Sequence, residues 1–216
     1  MTENLKELIK IYSCYSHKEL NIRLLEYSKD DLIAVFNDLL TLYINDKNSS
    51  TIREFLTVNI AGYTHNTHKI GFNGYRQNGL GKAINCEAKP KNICTSDEKI
   101  KKLNGSGNFT DYTWARFEKD KKSNLNMLIS GFIDGQLIYI LEFNFCEKSF
   151  LNKLQSQLEK HFPNGDESGR YLRSANFNFK DYINAKIKCI FIKQNINDFK
   201  KYIQLDFFNF LKDMNC

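Results

Sequence analysis

Residues 82–90 read Lys-Ala-Ile-Asn-Cys-Glu-Ala-Lys-Pro. Side chains of an extended segment repeat with a period of two, so Asn85, Glu87 and Lys89 fall on one face and Ile84, Cys86 and Ala88 on the other. The pattern predicts a strand with one apolar face and one that carries a carboxylate beside an ammonium, ended by Pro90. Immediately upstream, KIGFNGY (69–75) and the glycine-rich RQNGLG (76–81) complete a β-hairpin by their turn chemistry.

Working outward, residues 3–58 read as helical. Leu5, Leu8, Ile9 and Tyr12 share one face, and Ser28 with Asp31 makes a capping-box-like start for the run from Leu32 to Tyr43. Ser50 or Thr51 starts another short helix, which carries Arg53, Glu54, Phe55 and Val58.

Downstream of the hairpin, LNGSGNFT (103–110) reads as a loop and TDYTWARFEKD (110–120) as a helix capped by Thr110 or Asp111. Two apolar runs, 126–133 and 136–145, flank Asp134-Gly135, the strongest hairpin signal in the chain. A helix at 149–162, a strand at 185–193 and a terminal helix at 196–214 follow. The expected fold is α/β, a central mixed β-sheet flanked by helices. It forms one domain over 1–216, with a helical lead-in at 1–58, a core at 59–146 and a helix, loop, strand and helix at 147–216.

The 216 residues carry 31 Lys and Arg against 25 Asp and Glu, a formal charge of +6. That is a mild electrostatic bias towards polyanions, and nucleic acid is the partner it favours. Cysteines at 14, 86, 94, 146, 189 and 216 form no CxxC pair and have no histidine at ligand spacing, so they are expected to be reduced, without a zinc site. The opening MTENLKELIK lacks the apolar run of a signal peptide, and no stretch approaches a membrane span. The expected location is cytoplasmic.

A carboxylate and an ammonium side by side suit phosphodiester hydrolysis. The acid can hold a divalent metal that acidifies a water, and the amine can orient that water or neutralise developing charge. The pattern acid-x-Lys also occurs at Asp97-Glu98-Lys99, Asp120-Lys121-Lys122 and Asp198-Phe199-Lys200. Only Glu87-Ala88-Lys89 lies on a predicted strand, and the others read as solvated charge pairs.

The stretch from 50 to 145 resembles the PD-(D/E)XK nuclease core shared by many Type II restriction endonucleases. The resemblance implies a Mg²⁺-dependent enzyme of restriction-modification systems that cuts double-stranded DNA at a specific sequence and acts as a homodimer or a monomer. Glu87 would bind Mg²⁺ and Lys89 would position the water. Asn73, fourteen positions before Glu87, would occupy the first metal-ligand slot, where the family has an aspartate. An amide brings no charge and weakens Mg²⁺ binding. Three explanations are open: an inactivating exchange of Asp for Asn, a first acid moved to Glu54 or another carboxylate, or a domain that is no nuclease. The alternative function is a nucleic-acid-binding protein with an inactive nuclease fold.

DNA contacts are expected from Arg76 and Gln77 of the hairpin, and from Asn104, Ser106 and Asn108 of a mobile loop leading to Arg116 and Lys119. The segment GDESGRYLRSANFNFK (165–180) supplies Arg170, Arg173, Asn176, Asn178 and Lys180, side-chain types able to pair with base edges. Glu142, charged within an apolar strand, is a secondary site candidate. His17, His65, His68 and His161 are read as solvated.

Overall fold

The computed structural model describes residues 2–14, 16–45, 51–66, 71–77, 79, 81, 83–99, 101–165 and 169–214. The chain divides into two compact units, Met1–Ser50 and Thr51–Cys216.

The first unit holds α1 (Glu3–Cys14), α2 (His17–Leu25) and α3 (Lys29–Asn45). Ser16 starts α2 with a capping box closed by Glu19, and Ser28 accepts from the Asp31 amide at 3.1 Å as its sequence predicts. Arg23 ties α2 to α1 by pairing with Glu7 at 3.0 Å, and pairs with Glu26 at the end of its own helix at 2.6 Å. Leu5 and Leu8 are buried, whereas α3 buries no residue.

The second unit opens with α4 (Thr51–Ile60) and a six-stranded sheet in the order β1-β2-β3-β5-β6-β8. Its strands are β1 (Thr64–His65), β2 (Gly74–Gln77), β3 (Ala83–Ile93), β5 (Leu125–Ile133), β6 (Gln136–Asn144) and β8 (Lys188–Ile192). β4 (Gly107–Tyr112) and β7 (Leu172–Phe177) form a separate antiparallel pair. The remaining helices are α5 (Trp114–Lys122), α6 (Lys148–His161) and α7 (Leu205–Asp213), and the fold is an α/β mixed sheet flanked by helices, as expected.

β2 and β3 make the expected hairpin, with Gln77 opposite Ala83. Of the strand predicted at 69–75, residues 69–70 lie outside the described residues, and β2 begins only at Gly74. β3 then pairs in parallel with β5, from Asn85 opposite Leu125 to Ile93 opposite Ile133. A parallel neighbour requires a crossover, and α5 lies in that connection.

Contrary to expectation, Pro90 does not end β3. The Ala88 amide points to the edge that β2 has already left, where it finds the Asn73 side chain. Pro90, two residues on, turns its missing N–H to that same unpaired edge, where a strand tolerates proline.

Asp134 and Gly135 join β5 to β6 with φ of 48° and 77°, the double positive φ of a type I′ turn. Both strands are buried on both faces. Leu128 and Ile140 pack with Val58, Ala61 and Tyr63 at the α4 side. Met127, Ile129, Leu141 and Phe143 join Phe150, Leu154 and Leu158 of α6 and Phe207, Phe208 and Leu211 of α7 in the larger core.

Three other expectations are corrected. The loop 103–110 and the start of the following helix become β4, and the helix is capped at Thr113, whose hydroxyl accepts from the Arg116 amide at 3.1 Å. The predicted recognition loop contains β7, and both strands can pair because Phe109, Ala175 and Phe177 bury a shared apolar face. The single terminal helix is split into a 3₁₀ segment, Ile196–Tyr202, and α7, because Ile203 is extended and bridges Leu103. A fourth expectation, that the cysteines are reduced, also fails: Cys86, Cys94 and Cys146 are free thiols, but Cys189 is disulfide-bonded, because spacing along the chain does not reveal a pairing made by the fold.

Candidate active site

Glu87 and Lys89 project from one face of β3, towards the side covered by β4 and α5. Lys89 Nζ donates to Glu87 Oε1 at 2.7 Å, and Arg116 Nη2 reaches the same oxygen at 3.2 Å. Glu87 is 5% exposed, so its charge is held by two cations in a dry setting, where geometry rather than number decides whether a pair persists. Oε2 of Glu87 has no hydrogen bond among the described residues.

β4 shapes the other wall. Lys89 Nζ sits 4.4 Å from the centre of the Phe109 ring. A Cβ at Gly107 would stand 3.0 Å from Lys89 Cβ and 2.5 Å from Phe177 Cζ, so glycine is what lets β4 close over the lysine. The next residue on this face, Lys91, donates to Asn104 Oδ1 at 3.1 Å and Ser106 Oγ at 2.8 Å. Burial pushes its ammonium down from the ordinary lysine range. Asn104 and Ser106 thus anchor a fixed turn where a mobile loop was expected.

The remaining predicted catalytic pair meets β3 at its edge. Asn73 Oδ1 accepts from the Ala88 amide at 2.8 Å, and Asn73 Nδ2 donates to Glu54 Oε2 of α4 at 3.1 Å. Asn73 therefore substitutes for a strand partner and, through its amide hydrogens, holds Glu54. The four predicted catalytic residues form two hydrogen-bonded pairs, both attached to β3 between positions 87 and 89.

Asp120 completes the cluster, although its acid-x-Lys match reads as solvent-facing in the sequence. It is 3% exposed, accepts from the Tyr112 hydroxyl at 3.4 Å and lies 3.7 Å from Arg116 Nε. Phe117 and Asp120 lie three apart on one buried helix face, and the Arg116–Asp120 spacing of four is the signal that could have found it. Burial is the main reason its carboxyl is pushed up to about 6, with Glu87 adding to the rise and Arg116 opposing it.

In the unfolded chain Asp120 ionises near its ordinary 3.8. Between that value and about 6 the folded state holds the extra proton, so stability falls as pH rises through this window, by on the order of 3 kcal/mol. Asp120→Asn should abolish most of that fall, which urea unfolding from pH 3.5 to 8 measures.

The predicted DNA contacts separate. Arg76 Nη2 is bound to Glu142 Oε1 at 2.8 Å, and its guanidinium lies 4.3 Å from the Tyr63 ring centre. Glu142 is 3% exposed and accepts in addition from Tyr63 Oη and, at 2.7 Å, from Asn126 Nδ2. Among the described residues its Oε2 is buried without a partner. Neither Tyr63 nor Asn126 carried a sequence signal, since only the sheet register brings Asn126 beside Glu142. Gln77 is exposed on β2.

Asn108 and Asn176 are cross-strand neighbours on the exposed face of β4 and β7, linked through Ser174. Asn176 is also clamped by Gln157 of α6, which accepts from its amide at 2.9 Å and donates to its carbonyl at 3.0 Å. Arg170 and Arg173 are exposed, and Asn178 caps the 3₁₀ turn Phe179–Asp181. Of the histidines, His65 packs against Phe55, and His68 lies outside the described residues.

No protein-family model matches the chain, and no curated protein matches it. No helix among the described residues is long and apolar enough to cross a membrane.

The donor set suits a hard divalent cation. Mg²⁺ takes one or two carboxylates, keeps several waters and completes its shell with substrate phosphate. Glu87, through Oε2, and Glu54 are the carboxylates that would hold it, and Asn73 ties Glu54 to the backbone amide of Ala88, the residue next to Glu87. Among the described residues no group of three acidic, histidine or cysteine side chains converges on one point.

Proposed function

We propose that the second unit is a restriction-type endonuclease domain that hydrolyses phosphodiester bonds of double-stranded DNA at a specific sequence with Mg²⁺. The observation that carries this reading is the position of Glu87 and Lys89 on one face of an extended strand, with the Asn73–Glu54 pair bonded to Ala88 between them. Mg²⁺ would polarise the phosphoryl oxygen and acidify a water. Lys89, 2.7 Å from Glu87, would orient that water and screen charge developing on phosphorus, while Arg116 neutralises the phosphate approaching Glu87. The net charge of +6 favours the approach of DNA, and a palindromic target would favour a homodimer.

The test is incubation of plasmid DNA with Mg²⁺ and the wild-type chain, Glu87→Gln or Lys89→Ala. Discrete fragments from the wild type that fall by about 100-fold or more in either variant are expected, since each removes a group acting on the transition state. A smear in place of bands would remove the sequence specificity.

The second reading is a nucleic-acid-binding protein built on the same fold without cleavage. What favours it is the hydrogen bond from Asn73 Nδ2 to Glu54, because only an amide can donate there. Retained duplex binding without cleavage, with or without an aspartate at 73, would decide for it.

A further inference from the structure

A cavity of about 280 Å³ opens beside the start of α7. Three distant chain segments build it, and the backbone pairing of Leu103 with Ile203 holds two of them together. Phe179 and Phe207, 5% and 1% exposed, form its apolar base. Around the opening stand Asn104, Asn178, Lys180, Gln204 and Asp206.

The two asparagines are oriented by their oxygens. Asn104 Oδ1 accepts from Lys91 Nζ and the Ser106 amide, and Asn178 Oδ1 accepts from the Lys180 amide. Each amide nitrogen is left without a partner among the described residues, as is the Asp206 carboxylate. The cavity therefore offers two fixed N–H donors and one anionic acceptor over an apolar base, with an ammonium at the rim.

We infer that this cavity receives one unstacked guanine nucleotide of the nucleic-acid substrate. Guanine places two adjacent donors, N1–H and the 2-amino group, where one carboxylate can accept both. Its O6 and N7 are acceptors for the two amide donors. Adenine, cytosine and thymine lack that paired donor edge. The volume lies just under the roughly 300–1,000 Å³ of drug-sized sites, which suits a single base read after leaving its stack. Lys180 is placed for the attached phosphate.

The inference rests on the reading of this unit as acting on nucleic acid, and the structure links the two places. Lys91, which holds Asn104, is four residues along β3 from Glu87, or roughly 13 Å of strand. About four base steps of duplex cover that length.

The experiment is titration of the full chain with dGMP, dAMP, dCMP, TMP and inorganic phosphate, followed by calorimetry and by the side-chain amide resonances of asparagine. Saturable dGMP binding at least tenfold tighter than that of any other probe is expected. Asp206→Asn should weaken it at least tenfold. Asn178→Ser, which keeps an oxygen for the cap and removes only the amide donor, should weaken it about fivefold. Equal binding of all four nucleotides, competition by phosphate alone, or dGMP affinity untouched by both substitutions overturns the assignment. Specific dGMP binding by a wild-type chain that cuts no DNA with Mg²⁺ would remove the nuclease and keep the cavity, and cleavage by a wild-type chain without nucleotide binding would do the reverse.

Discussion

Asn73→Asp should raise Mg²⁺-dependent cleavage of plasmid DNA by about 100-fold over the wild type, a gain on the order of 3 kcal/mol in transition-state stabilisation. The new carboxylate keeps the acceptor for the Ala88 amide and loses the donor to Glu54. It leaves two acids facing each other across the present 3.1 Å contact. Without a divalent ion that juxtaposition should cost roughly 1–3 kcal/mol of stability. Mg²⁺ at about 100 times its dissociation constant would return roughly 2.7 kcal/mol.

The variant should therefore unfold at lower urea than wild type in EDTA and regain the difference in millimolar Mg²⁺, whereas wild type should respond weakly. This stability readout is independent of cleavage. A variant that neither gains Mg²⁺-dependent stability nor cuts DNA would mean that position 73 is not a metal-ligand slot.

Arg76→Ala should destabilise the second unit by about 3 kcal/mol, and Glu142→Gln in the same chain should restore most of the loss. Glu142 has a side chain 4% exposed, and Arg76 is its counter-ion at 2.8 Å. Removing one member of a buried pair leaves an uncompensated charge, at a cost of about 3–5 kcal/mol. Tyr63 and Asn126 still donate to Glu142 after the change, which places the expected value at the lower end.

A neutral glutamine removes the charge while its oxygen keeps those two donors, so the pair should be strongly non-additive in a double-mutant cycle followed by urea unfolding. Additive losses would show that the guanidinium acts only by packing on the Tyr63 ring. The outcome bears on function too, since Arg76 bound in this way is a sheet-bracing residue and not a free DNA contact.

The parts of the fold legible in the residue order are those governed by neighbours a few positions apart. Alternation in 83–89 identified β3 and the faces of Glu87 and Lys89, and Asp134-Gly135 identified a turn that needs two positive φ values. The helical spacing of 149–162 was equally plain. Pro90 misled because a missing N–H ends a strand only when a partner waits for it, and the late start of β2, at Gly74 opposite Cys86, is not written near residue 90.

Sequence alone, then, determined the α/β character, the strand bearing Glu87 and Lys89 and the placing of Asn73 ahead of them. Tertiary structure decided that β4 and β7 pair, that Arg116 and Asp120 close over Glu87, that Asn73 bridges Glu54 to β3 and that Glu142 is met by Arg76, Tyr63 and Asn126. The difference is physical. Periodicity and turn preference act over one or two turns of chain, whereas a buried charge is satisfied by whichever donors the packed sheet and helices bring to it, from positions up to 79 residues away.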